Sequence, residues 1–209
     1  MIKTNLLSGA LGAEITGIDL KDSTTENWNK INNLLLEHKA LFFRDQDISS
    51  EEQISLAKHF GPLEKHIYVK GREEYPEILR IIKEPDEKHQ WGETWHTDVS
   101  YNPKPTKVII LRSLKIPPVG GDTMFSNMYM AYDSLSKPMQ NFLNGLRALH
   151  ESEHFYRNRY EKQDELDPNK KYPSAIHPIV RTHPETKKKA LYVNKFFTTR
   201  IEGLSNEET

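Results

Sequence analysis

The run Lys107-Val108-Ile109-Ile110-Leu111-Arg112 is apolar and rich in β-branched side chains, and Pro117-Pro118-Val119-Gly120-Gly121 ends it before Thr123-Met124-Phe125. A short apolar run closed by Pro and Gly predicts strand, turn, strand, because Pro removes a ladder donor and Gly opens the turn. The elements around it are helical and short. Ser23-Thr24-Thr25-Glu26 reads as a capping box, and Trp28, Ile31, Leu34, Leu35 and His38 follow at helical spacing, which predicts a first helix to about residue 38. Ala40-Leu41-Phe42-Phe43 reads as a short buried strand. A second helix starts at Ser49 or Ser50, carries Ile54, Ala57 and Phe60, and stops at Gly61-Pro62. Asn127 caps a short helix through Tyr132, and Ser136-Lys137-Pro138 opens another with Phe142, Leu143 and Leu146. Ile176–Thr182 and Ala190–Asn194 flank a His183-Pro184-Glu185-Thr186 turn, as in a hairpin, and Ser205 with Glu208 predicts the start of a further helix. The regular βαβ alternation of a doubly wound sheet is missing. The expectation is therefore a mixed, mainly β fold, an antiparallel core with helices outside it.

At 209 residues and 36% hydrophobic content, the chain suits one domain spanning 1–209. Lys and Arg number 29 against 30 Asp and Glu, so a net charge of −1 gives no field to draw nucleic acid or an acidic membrane. No stretch nears the roughly 18 apolar residues of a membrane span, and the N-terminus lacks signal-peptide regions, so a soluble cytoplasmic protein is expected. Zero cysteines exclude disulfide scaffolds, thiolate zinc sites, iron–sulfur clusters and Cys nucleophiles. Any metal must sit on nitrogen and oxygen.

In Trp95-His96-Thr97-Asp98 an imidazole and a carboxylate lie two residues apart, a spacing that turns both to one face of an extended segment. Two His and one carboxylate around iron(II) leave open positions for a 2-oxoacid and dioxygen. An isolated His-x-Asp is more often a surface pair, and Thr123 alone is an ordinary strand residue after a turn. His-Glu-x-x-His is absent, and a zinc deaminase needs cysteine ligands that this chain lacks. His150 and His154 have metal-compatible spacing but sit in the charged stretch 150–171, which reads as a solvated, mobile cover. Lys187-Lys188-Lys189 reads as a solvated turn.

Taken together, Trp95-His96-Thr97-Asp98, Gly120-Gly121-Asp122-Thr123, His177-Pro178-Ile179-Val180-Arg181-Thr182-His183-Pro184, and Tyr192-Val193-Asn194 with Phe197-Thr198-Thr199-Arg200 resemble the TauD/TfdA family of Fe(II)/2-oxoglutarate-dependent dioxygenases. The resemblance extends to Gly12-Ala13-Glu14-Ile15 and Phe43-Arg44-Asp45-Gln46, and so to nearly the whole chain. It implies a double-stranded β-helix (jelly-roll) core, with His96 and Asp98 as metal ligands, Thr123 binding a 2-oxoglutarate carboxylate, and His66, Tyr156 and Phe197 at the substrate. The implied cofactors are Fe(II) and 2-oxoglutarate, and the implied partners are O2 and a small anionic substrate, taurine- or alkylsulfonate-like. Succinate, CO2 and, from sulfonates, sulfite plus an aldehyde are the implied products. Where taurine-specific members place a substrate-contacting Asn upstream of the first ligand, this chain has Gly92, which leaves other sulfonates, sulfate esters and carboxylates open. The family's distal His ligand and its carboxylate-pairing Arg have no match here; both are expected beyond Thr209, with the C-terminal strands, and neither His177 nor His183 is assigned in their place. Open sheet edges favour self-association, so a homo-oligomer is expected. The alternative is a catalytically inert jelly-roll binding module that lacks the third ligand.

Overall fold

Side-chain caps decide where the first two helices begin. In the computed structural model, which describes residues 1–21, 24–84, 86, 92, 94–160 and 171–209, the Thr24 hydroxyl accepts the Asn27 N–H and starts α1 (Thr25–His38). The expected cap at Ser23 lies outside the described residues. A reciprocal box starts α2 (Ser50–Lys58): Glu52 N–H donates to Ser49 Oγ at 3.1 Å, and Ser49 N–H to the Glu52 carboxylate at 2.6 Å. Trp28 and Ile31 of α1 meet Leu56 of α2 in one core, with Ile110 packed against it. Removing a side chain the size of Ile31 from water contributes on the order of 2 kcal/mol.

The strands form three small sheets. In the first, β1 (Lys3–Leu6) runs antiparallel to β2 (Ala13–Thr16), which runs parallel to β3 (Leu41–Phe42). In the second, β4 (Arg147–Glu151) lies between β5 (Ser174–Pro178) and β8 (Thr198–Ile201), antiparallel to both. The third is the predicted hairpin, β6 (Val180–Thr182) with β7 (Lys189–Leu191). Its turn is fixed by His183 Nδ1, which accepts the N–H groups of Glu185 and Thr186. Three more helices complete the described elements: α3 (Met128–Asp133) capped by Asn127, α4 (Lys137–Leu143) capped by Ser136, and α5 (Glu153–Tyr160).

Several expectations change. Among the described residues helices and strands are mixed, and the β2–β3 pair is parallel rather than antiparallel. Lys107–Arg112 and Thr123–Phe125 belong to no ladder among the described residues. The segment keeps a pleat-like alternation, Ile110 facing the core while Ile109 and Leu111 are 50% and 66% exposed. Propensity favours an extended backbone, but a strand also needs a neighbour's N–H and C=O groups. The stretch read as a mobile cover begins instead as the end of β4 and α5, with Tyr156 buried; residues 161–170 lie outside the described residues. Gly203–Thr209 forms turns rather than a helix, although Ser205 N–H does donate to the Glu208 carboxylate at 2.9 Å. No described helix is long and apolar enough to cross a membrane.

Candidate metal centre

His96 and Asp98 meet through a turn, not a strand. Residues 98–101 turn sharply, Val99 adopts φ 47°, and the Asn102 N–H closes on Val99 C=O at 2.9 Å. A left-handed β-branched residue costs on the order of 1–3 kcal/mol, so the surroundings must hold this turn in place. Its result is that His96 Nε2 lies 3.0 Å from Asp98 Oδ1. His96 Nδ1 lies 2.6 Å from Thr94 C=O, which can only accept, so Nδ1 carries the proton. In the neutral ring the Nε2 lone pair then faces a carboxylate. Two acceptors at that distance need a cation between them, either a proton or a metal. Accordingly, the hydrogen bond to Asp98 raises the His96 pKa, against the opposing effect of burial. Asp98 is half exposed, which leaves the pair open on one side. Gly92 sits beside it at φ 74°, and a Cβ there would touch His96 Cε1 at 3.6 Å.

The three expected substrate residues lie in the aromatic cluster next to this pair. His66 Nδ1 accepts the N–H groups of Tyr68 and Val69 at 3.2 and 3.0 Å, so its proton is on Nε2, pointing at the Tyr156 hydroxyl 3.0 Å away. Burial holds His66 below the usual imidazole range, while the Asp98 and Glu64 carboxylates pull it upward. Tyr156 stacks on Tyr68 with 3.8 Å between centroids, and the buried Tyr101 ring stands edge-on to both Tyr156 and Phe197. Phe196 and Phe197 lie 5.4 and 6.5 Å from the His96 ring, joining the aromatic cluster to the His96–Asp98 pair. Thr123 is exposed in its unpaired extended segment, and among the described residues no hydrogen bond joins it to His96 or Asp98.

Sequence reasoning missed a buried polar layer under the pair. His150, expected to be solvated, is fully buried: β4 alternates, and Ala148 and His150 point inward despite the charged residues that follow. Its Nδ1 lies 3.0 Å from Ser100 Oγ, and burial, with His177 nearby, pushes its pKa down to about 4. The inward period-two pattern Ala148, His150, Ser152 was the available sign. His177 uses Nε2 on Asn102 C=O at 3.1 Å, His183 fixes the hairpin turn, and the exposed His154 donates to Phe196 C=O. Glu64 grips the same loop through Asn102 Nδ2 at 2.6 Å and the Thr106 hydroxyl. No three His, Asp or Glu side chains converge as a metal site among the described residues. A groove of about 560 Å³ lies elsewhere, along Leu7–Gly12, Phe42 and α3. It is lined by no titratable side chain.

Residues 3–209 match the family model described as taurine catabolism dioxygenase TauD, TfdA family. The chain belongs to the TauD/TfdA family. Among curated relatives, an alkylsulfatase of Acinetobacter baylyi is 36% identical over 215 residues, covering 97% of this chain and 66% of that protein. An alpha-ketoglutarate-dependent sulfonate dioxygenase of Saccharomyces cerevisiae is 32% identical over 220 residues, covering 100% and 53%. Thus this TauD/TfdA chain spans from about half to two thirds of the length of these curated relatives. The crystal structure of a taurine dioxygenase from Burkholderia xenovorans superposes with a TM-score of 0.81 at 32% identity, covering 100% of this chain and 68% of that one. The family description names a dioxygenase, and the Saccharomyces cerevisiae relative is named as alpha-ketoglutarate-dependent.

Proposed function

We propose that residues 1–209 are the metal-anchoring part of an Fe(II)- and 2-oxoglutarate-dependent dioxygenase domain with a double-stranded β-helix core. His96 and Asp98 supply two of its metal ligands. The observation that carries this is the His96 ring, tied through Nδ1–H to Thr94 C=O so that Nε2 is presented to Asp98. A ligand His that donates its other N–H to a carbonyl is oriented and made more basic. Imidazole plus carboxylate suits iron(II), and the open side of Asp98 leaves coordination room. On this reading the remaining His ligand and a carboxylate-pairing Arg lie beyond Thr209, as the greater length of the relatives supports. Thr123 binds 2-oxoglutarate once its segment gains a strand neighbour.

When bound, iron with 2-oxoglutarate and O2 supplies the oxidation of a substrate C–H bond, with release of succinate and CO2. The chain's own residues bind and orient. His66, locked as an Nε2–H donor, and the Tyr156 hydroxyl face an anionic head group, and Phe197 walls off water. The substrate is a small anion of the alkylsulfonate or sulfate-ester type, which the names of the relatives support, and a sulfonate yields sulfite plus an aldehyde. The reading includes a cytoplasmic, self-associating protein that takes neither nucleic acid nor membrane as partner, in keeping with a net charge of −1.

A second reading, a binding module without catalysis, is favoured by the two-ligand set among the described residues. Succinate release separates the two. With Fe(II), 2-oxoglutarate and an alkylsulfonate, a version extended past Thr209 is expected to release succinate, and its His96→Ala variant is not. Equal release from that variant contradicts the assignment, and no release from the extended protein supports the binding module.

A further inference from the structure

A closed ring of hydrogen bonds lies beneath the metal pair. Asn194 Oδ1 accepts the N–H groups of Phe196 and Phe197 at 3.2 and 2.8 Å, which fixes the amide and turns its Nδ2 toward Ser100 Oγ at 3.3 Å. Ser100 Oγ lies 3.0 Å from His150 Nδ1. On the other side of the imidazole, Nε2 lies 3.4 Å from Thr198 Oγ1, which also accepts the Asn194 N–H at 3.0 Å. Ser100 and His150 are both 0% exposed.

One polarity pairs the protons of both fully buried members, Ser100 and His150, and leaves the hydroxyl proton of the part-buried Thr198 to an acceptor outside the ring. Asn194 donates to Ser100, the Ser100 hydroxyl donates to a bare His150 Nδ1, and His150 Nε2–H donates to Thr198. The opposite sense leaves the Ser100 hydroxyl proton without an acceptor among the described residues, in a fully buried position where such a loss is costly. His150 must then be neutral, which its burial independently favours.

The ring joins the two halves of the site. Ser100 is two residues past Asp98 in the strained turn, and the backbone that Asn194 caps carries the Phe196 and Phe197 rings against His96. We propose that Ser100 and Asn194 are positioning residues: through the ring with His150 and Thr198 they set the turn bearing Asp98 and the aromatic wall on His96 in one fixed relation. The proposal rests on the reading of His96 and Asp98 as metal ligands. Positioning side chains around a metal site change affinity by about tenfold or more when altered.

The test is NMR of the full chain carrying ¹⁵N-labelled histidine, first without metal and then titrated with Mn(II). Wild-type His150 is expected to be the Nε2–H tautomer. Asn194→Asp keeps the acceptor for Phe196 and Phe197 but replaces the donor to Ser100 with another acceptor. It is expected to put the proton on His150 Nδ1, shift the His96 ring resonances and weaken Mn(II) binding about tenfold. Thr198→Val, nearly isosteric, is expected to release His150 into both tautomers and gives a second reading if the first variant does not fold. A proton on Nδ1 in the wild type overturns the proposal, as do variants with unchanged His150 tautomer and His96 resonances. If the wild-type chain binds no Mn(II), the metal reading fails, while the metal-free spectra still decide whether the ring couples Asn194 to His96.

Discussion

His66 reaches across 90 residues of sequence to hold the Tyr156 hydroxyl 3.0 Å from its Nε2. Two backbone N–H groups donating to Nδ1 leave Nε2 as the only donor the ring has, so Tyr156→Phe strips its partner in a half-buried place. We expect a loss of about 1 kcal/mol in denaturant unfolding, and weaker substrate binding with no change in metal affinity. Unchanged stability and binding would show the pair to be incidental.

Burial of His150 ties stability to pH. Its folded pKa, about 4, is below the ordinary 6.5, so the unfolded chain binds the proton first. Stability from this group is present above pH 6.5 and is lost as pH falls toward 4, by about 3 kcal/mol in all. Buried or part-buried His66, His177 and His183 are lowered too and act in the same direction, whereas His96 is raised and acts in the opposite one. Unfolding midpoints at pH 7 and pH 5 are expected to fall with acidity. A flat profile in this range contradicts the assignment of a neutral His150.

Gly92 occupies a left-handed conformation next to His96. Gly92→Ala adds a Cβ that meets the ring and a backbone penalty of about 1 kcal/mol. A shifted His96 resonance with a modest loss of stability is expected. A spectrum unchanged at His96 would place Gly92 away from the site in solution.

The exposed Ile109 and Leu111, on a segment that joins no sheet among the described residues, present apolar surface. Ile109→Lys with Leu111→Lys is expected to reduce self-association in sedimentation velocity without lowering stability, since neither side chain is buried. Unaltered association would assign the contact to another surface.

Local chemistry made much of the fold legible. Ser49 with Glu52, Asn127 and Ser136 each cap the helix their sequence announces, because those caps are completed within three residues. Lys107–Arg112 reads as a strand but joins no sheet among the described residues, since pairing depends on a distant partner. At the site, His96 and Asp98 stand out through the family resemblance more than through their spacing, and the turn through Val99 that joins them does not show, because φ at a Val gives no sequence sign. His150 was hidden by its charged neighbours, and the role of Asn194 emerges only when Ser100, remote in sequence, is brought to it.

The central claim is that His96 and Asp98 share a divalent cation, and Mn(II) binding followed by electron paramagnetic resonance tests it on the chain as it stands. The wild type is expected to bind Mn(II) with one specific site, and His96→Ala and Asp98→Ala each to weaken it at least about tenfold, since either leaves a single ligand. Binding of equal strength in wild type and both variants would contradict the account.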